Sequence, residues 1–206
     1  MSNWFKVADD VARFASELAT VAGVGGVFYA LKSFKKSERD SKQAELSEMM
    51  KNSIEVLRLF SESIIPQIGK CHEVYLAMYE SSFLEYQQIV FEKEGKRIEH
   101  LPPELKSATE LECKIKAEYI GIFNQLEQVC AYISNGLIID DVVYPTVHSV
   151  FIRFCDRHDD LLNHLTKDST PYKHVHDVLD KWKLKSDRQM LEKQKEDVDK
   201  KLAKLK

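Results

Sequence analysis

Helix-breaking residues are scarce in this chain: seven glycines and five prolines punctuate 206 residues, so long stretches contain nothing that obliges a helix to stop. Between those points apolar residues recur at three-and-four spacing rather than alternating, which predicts an all-α fold. Paired cysteines are missing too. Cys71, Cys113, Cys130 and Cys155 are scattered and form no CxxC pair, which argues against a zinc site or a disulfide framework and predicts reduced, mostly buried thiols in a cytosolic domain. There is no GxSxG elbow, no Walker loop and no dinucleotide fingerprint. Gly23, Gly25 and Gly26 lie inside an apolar helical stretch and not after a strand, so they have no phosphate to cradle. A net charge of −3 with 31% charged residues supplies no basic field, and no nucleic-acid partner is expected. Neither a catalytic residue nor a cofactor is predicted, and the chain reads as a non-enzyme.

What is present is an uncharged run from Leu18 to Leu31, LATVAGVGGVFYAL, followed at once by the basic flank Lys32, Lys35, Lys36, Arg39 and Lys42. A helix apolar all round is either buried in a large core or spans a membrane, and a chain of this length has only a modest core to offer. The run itself rises ~21 Å against a hydrocarbon layer of ~30 Å, and extending it to Phe14 and Phe34 reaches ~31 Å, with Glu17 and Lys32 at the two interfaces. Leu18, Val21, Val24, Val27, Phe28 and Leu31 are then the lipid-facing anchor. The basic flank should stay cytoplasmic, leaving the N-terminus outside. A cleaved signal peptide is not expected, because the segment before the run is not positively charged. Ala15, Ala19 and Gly23, and again Ala22, Gly26 and Ala30, fall at i+4 intervals. These two small-residue rows let another backbone approach closely and point to a homo-oligomer.

The rest divides into a helical bundle over residues 37–166 and a charged C-terminal helix over 167–206, with 1–36 as anchor and flanks. Leu46, Met49, Met50, Leu57, Phe60, Ile64 and Ile68 carry one stripe, with Pro66 either kinking that helix or opening the next. The pattern continues through Val74, Leu76, Met78, Phe83, Ile89, Val90 and Phe91 to a cap at Gly95, and residues 95–103 read as a loop. Ser107 and Glu110 are spaced as a capping box. The helix after them is predicted to run unbroken through Ile115, Tyr119, Ile122, Phe123, Leu126, Val129, Cys130 and Ile133, closing at Asn135 and Gly136. A second arm starts at Asp140 or Asp141, takes Pro145 in its first turn and continues through Leu165. Pro171 then opens a last helix bearing Val175, Val178, Leu179 and Trp182. Leu184, Leu191, Val198 and Leu205 recur every seven residues, but their companion positions are mostly charged and the seam is thin for a coiled coil.

The stretch FNQLEQVCAYISNGLIIDDVVYPTVHSVFIRF, Phe123 to Phe154, joins a helix containing Glu127, a tight turn through Asn135, Gly136, Leu137 and Ile138, an acidic start at Asp140 and Asp141, and an apolar second arm. Together with the upstream anchor, basic run and long amphipathic helix, it resembles an uncharacterised bacterial family of membrane-anchored all-helical domains of unknown function. Pro145 departs from the uninterrupted second arm of that pattern. The resemblance implies an architecture and a location at the bacterial inner membrane with the bulk of the chain cytoplasmic; it implies no reaction.

Candidate chemistry concentrates between Arg153 and His164. Asp156, Asp160 and His164 are spaced four apart, so on one continuous helix they share a face and can donate ligands to a metal, or form a solvated face paired with Arg153 and Arg157. His158-Asp159 invites comparison with metal-dependent phosphohydrolases, but pairing it with His148 and Asp180 has no independent support. His174 and His176 point apart on a helix. Tyr75, Tyr79, Phe83 and Tyr86 form a helix-spaced aromatic set that reads as core packing. The predicted function is therefore a membrane-tethered interaction or regulatory module, with a Met50 to Leu162 bundle as the surface for a protein partner. The alternatives are a soluble oligomeric, cytoplasmic scaffold that buries the N-terminal helix, and a metal-dependent hydrolase.

Overall fold

A computed structural model describes residues 41–166 and 171–203, and all regular structure among them is helical. The anchor residues Leu18 to Leu31, both small-residue rows, and Lys32, Lys35, Lys36 and Arg39 lie outside the described residues; Lys42 falls in the first helix described. Among the described residues no helix is long and apolar enough to cross a membrane.

The first element is one rod. Helix α1 (Ser41–Leu59) passes through a π-helical turn (Phe60–Ile64) directly into α2 (Ile65–Glu94), a span of about 80 Å at helical rise. Pro66 explains the turn. Its ring crowds the carbonyl four residues back and it has no N–H to donate, and the wider turn, in which the Ile65 N–H bonds the Phe60 carbonyl, accommodates the proline without ending the helix. Phe60 and Ile64, at the two ends of that turn, are both fully buried. Gly95 closes α2 at φ +68°, with its N–H on the Phe91 carbonyl at 2.9 Å, as its position predicts.

Helix α3 (Pro103–Lys116) opens on Pro103, which needs no N–H partner in a first turn. Ser107 therefore does not cap it: the hydroxyl lies inside the helix and donates to the Pro103 carbonyl at 3.1 Å. Nor does this helix run on to Asn135. It stops at Ala117, Glu118 adopts φ +65°, and α4 (Tyr119–Ser134) begins afresh. In one continuous helix Ala117 and Tyr119 would point 200° apart. The break turns both into the core, at 3% and 1% exposure, offsetting the left-handed residue's cost of about 1–3 kcal/mol.

Helix α4 is the axis of the bundle. Ile122, Phe123, Leu126, Val129, Cys130 and Ile133 are all buried, and the helix packs against the π turn, α2, α3 and the last helix. Asn135 and Gly136, the latter at φ +67°, close it. The following turn is fastened to α1: Asn52 donates to the Leu137 carbonyl at 3.0 Å, and buried Ser53 accepts the Ile139 N–H at 2.8 Å. Helix α5 (Asp140–Arg157) has Pro145 in its second turn rather than its first and continues through it. The carbonyl deprived of a partner belongs to exposed Asp141, where water can serve. The second arm does not reach Leu165 unbroken, because it ends at His158 and α6 (Asp159–Thr166) starts a new direction. Pro171 lies in a turn, Tyr172 takes φ +63°, and α7 (Lys173–Ala203) follows. Val175, Val178, Leu179 and Trp182 drop into the core beside Phe151 and Tyr144, whose rings meet the indole edge-on at 5.3 and 5.6 Å. The core thus takes in the first third of the C-terminal helix.

Candidate functional site

The break between α5 and α6 places the least expected side chain in the molecule. His158 is 4% exposed and is wedged between the rings of Tyr119 at 4.3 Å and Phe154 at 4.8 Å. Its Nδ1 is buried with no hydrogen-bond partner among the described residues. Burial, reinforced by the positive charges of Lys114 and Arg157, lowers the imidazole to about 3, so the ring is neutral at ordinary pH. His72 lies near enough to add to this effect; its own pKa is lowered by burial and by Arg157, and its ring stacks on Tyr75 at 6.2 Å.

Beside this joint Lys114, on α3, is 8% exposed and donates from Nζ to both oxygens of Asp160 on α6, at 2.6 and 2.7 Å. Ser107, Glu110, Lys114, Arg157, Asp159 and Asp160 line an open groove between those two helices. The surrounding thiols and phenols are held protonated by burial: Cys71, Cys113, Tyr75 and Tyr119 are all raised, Cys155 is pushed up to about 12, and Cys130 rises well above its ordinary value. A nucleophilic cysteine needs the opposite shift.

The ligand set Asp156, Asp160 and His164 is not assembled. The break at His158 places Asp156 on α5 and the other two on α6, so the four-residue spacing no longer puts them on one face. Each carboxylate also holds a lysine: Asp156 pairs with Lys183 at 2.5 Å and Asp160 with Lys114. Among the described residues no group of three or more His, Cys, Asp or Glu side chains is placed to hold a metal ion. Asp159 caps its own helix through the Asp160 N–H at 2.7 Å. His148 bonds the Tyr144 carbonyl, and His174 bonds the Ser134 hydroxyl, each at 2.7 Å through Nδ1. Tyr75 stacks on Tyr79 and meets Tyr119 edge-on; Tyr75 packs against the core, but Tyr75, Tyr79, Phe83 and Tyr86 are all half-buried and not core residues.

Three polar contacts escape sequence reasoning because their partners lie more than 40 residues apart. One is the Lys114–Asp160 pair. Another is Glu127, whose carboxylate accepts the His174 and Val175 N–H groups at 3.2 and 3.0 Å and caps the start of α7. The third is Asp140, which accepts from Lys185 at 2.7 Å and from Lys181 and the Trp182 indole at 3.2 Å each. Burial alone would raise the Asp140 carboxyl, but these three donors outweigh it and leave it lowered. Lys185 also lies 4.2 Å over the Tyr144 ring. A lone acidic residue on an otherwise apolar helix face, as at Glu127 between Phe123 and Cys130, is the only sequence signal for any of them.

A protein-family profile described as Domain of unknown function (DUF4760) matches residues 18–182. The matched segment starts on the first residue of the apolar run and stops on Trp182, the last deeply buried residue of α7. No curated protein and no solved structure matches the chain.

Proposed function

We propose that this chain, which belongs to the DUF4760 family, a domain of unknown function, works as a membrane-tethered helical interaction or regulatory module. Residues 18–31 are the anchor, the basic flank holds the following chain on the cytoplasmic side, and the bundle offers its surface to a protein partner. The observation that carries this reading is the succession, within one chain, of an uncharged fourteen-residue run, a basic flank from Lys32 to Lys42 and a helical rod described from Ser41 onward. That order suits a tether leading straight into a stalk.

The far half of the rod supports a binding role. Leu84, Ile89 and Phe91 on α2 are 54%, 42% and 51% exposed, and apolar side chains gathered on one exposed stretch of helix mark contact surfaces more often than scattered single ones do. Contacts between the small-residue rows of two anchors would raise the local concentration of the bundles and strengthen weak binding. The test is an alkaline carbonate wash of membranes from cells making the full chain. Retention in the pellet supports the tether. Release into the supernatant favours the soluble oligomeric scaffold, in which another subunit buries the apolar helix.

A further inference from the structure

We infer that the outer arm of α7 pairs, antiparallel, with the same arm of a second copy of this chain. The inference is independent of the membrane reading and concerns a segment beyond the family match, which ends at residue 182.

From Asp187 to Ala203 every side chain described is exposed. Among the described residues the outermost hydrogen bond from this arm to the bundle is the one the Tyr144 hydroxyl donates to Gln189 at 3.1 Å. A helix of this length standing alone in water is marginal, since most helical stability comes from packing an apolar face. Among its described side chains the large exposed apolar ones are Leu184, Met190, Leu191 and Val198, at 71%, 54%, 65% and 54% exposure, and Leu184, Leu191 and Val198 form a row at seven-residue intervals. A strict seven-residue repeat is the period of a helix that winds around another helix.

Charge selects the occupant and its direction. Across the arm the acidic residues Asp187, Glu192, Glu196, Asp197 and Asp199 are matched by Arg188, Lys193, Lys195, Lys200 and Lys201, so the arm is neutral and able to complement itself. With the seam at the d positions, Asp187 and Lys201 both fall on the flanking g positions. In a parallel pair Asp187 would face Glu192 of the second copy, two acids together. In an antiparallel pair, where g faces g, Asp187 of each copy faces Lys201 of the other, and Gln194 faces Gln194 at the two-fold axis. The charged companion positions that thin the seam also find a use. Lys195 comes level with Leu191 of the second copy and beside its Glu192, so its stem covers leucine while its ammonium offsets the two central glutamates.

Cysteine cross-linking of the full chain tests this, because all four native cysteines are buried and the probe sites are exposed. Gln194→Cys should give a disulfide dimer under mild oxidation. Leu184→Cys should not, since it lies about 27 Å along the helix from its own copy in the antiparallel pair. Asp187→Lys in the Gln194→Cys background should lower the dimer yield roughly threefold or more, and adding Lys201→Asp should restore it. Circular dichroism of each variant checks that the bundle stays folded. The inference is overturned by cross-linking at Leu184→Cys instead, which means a parallel pair, by no dimer at Gln194→Cys, by a cross-linked product whose mass is not twice that of the chain, or by charge reversal without rescue.

Discussion

Replacing His158 with phenylalanine should remove a specific sensitivity to acid. In the folded chain the imidazole is lowered to about 3 by burial and by Lys114 and Arg157, whereas in the unfolded chain it titrates near its ordinary ~6.5. Below that value the unfolded chain binds a proton that the folded chain refuses, so stability is full above pH 6.5 and falls as pH drops toward 3. The slope is about 1.4 kcal/mol per pH unit, giving a loss of about 3 kcal/mol between pH 7 and pH 4 from this residue alone. Phenylalanine keeps an aromatic ring between Tyr119 and Phe154, carries no titrating group, and abolishes the unpaired Nδ1, so at pH 7 the variant should be as stable as the parent or more so. Urea unfolding at pH 7, 6, 5 and 4 reads both quantities. Carboxylates such as Asp140, whose lowered pKa also favours the folded form until it is protonated, lose stability equally in both proteins and cancel in the difference. Equal pH slopes for the two proteins would refute the assignment of a neutral buried His158.

Asp160→Asn should destabilise more than Lys114→Met, by about 2 kcal/mol, because the first leaves a buried ammonium without its carboxylate while the second leaves a carboxylate that is 40% exposed to water; urea unfolding orders the two. Glu127→Gln should cost about 1 kcal/mol by weakening the cap of α7, and amide hydrogen exchange should speed up at His174 and Val175 before it does so in α4. Two glycines should respond with opposite signs: Gly136→Ala forces a side chain to φ +67° and destabilises by about 1 kcal/mol, whereas Gly69→Ala, in a helix with nothing near its added carbon, stabilises by about 0.5–1 kcal/mol. Thermal unfolding measures both.

The apolar stripes made the helices and most of the core legible from composition and spacing. Phe60, Ile64, Ile122, Phe123, Leu126, Val175 and Trp182 are buried where periodicity places them, and Gly95 and Gly136 end helices at positive φ as their positions indicate. The joints were not legible. Glu118 takes a left-handed conformation for which glutamate has no preference, and its reason, the joint burial of Ala117 and Tyr119, exists only once α3 and α4 have partners. His158 ends α5 without any breaker residue, so a spacing argument carried straight across it put Asp156, Asp160 and His164 on one face. Pro66 permitted a kink or a new helix, and the chain instead passes it through a π turn, while Pro145 sits in the second turn of α5 and not in the first. The paired charges of Lys114 and Asp160 depend on the fold bringing α3 beside α6, which no local pattern encodes.

The most direct test of the tether is the membrane partition of a Val24→Asp, Val27→Asp double variant beside the parent chain. Each central acid costs roughly 2.5–3.5 kcal/mol of insertion free energy, and a run this short and rich in small residues has little in reserve. The account predicts that the parent stays in the carbonate-washed pellet while the variant moves to the supernatant with the helical content of its bundle unchanged. A variant that still resists extraction, or a parent that is itself released, would contradict it.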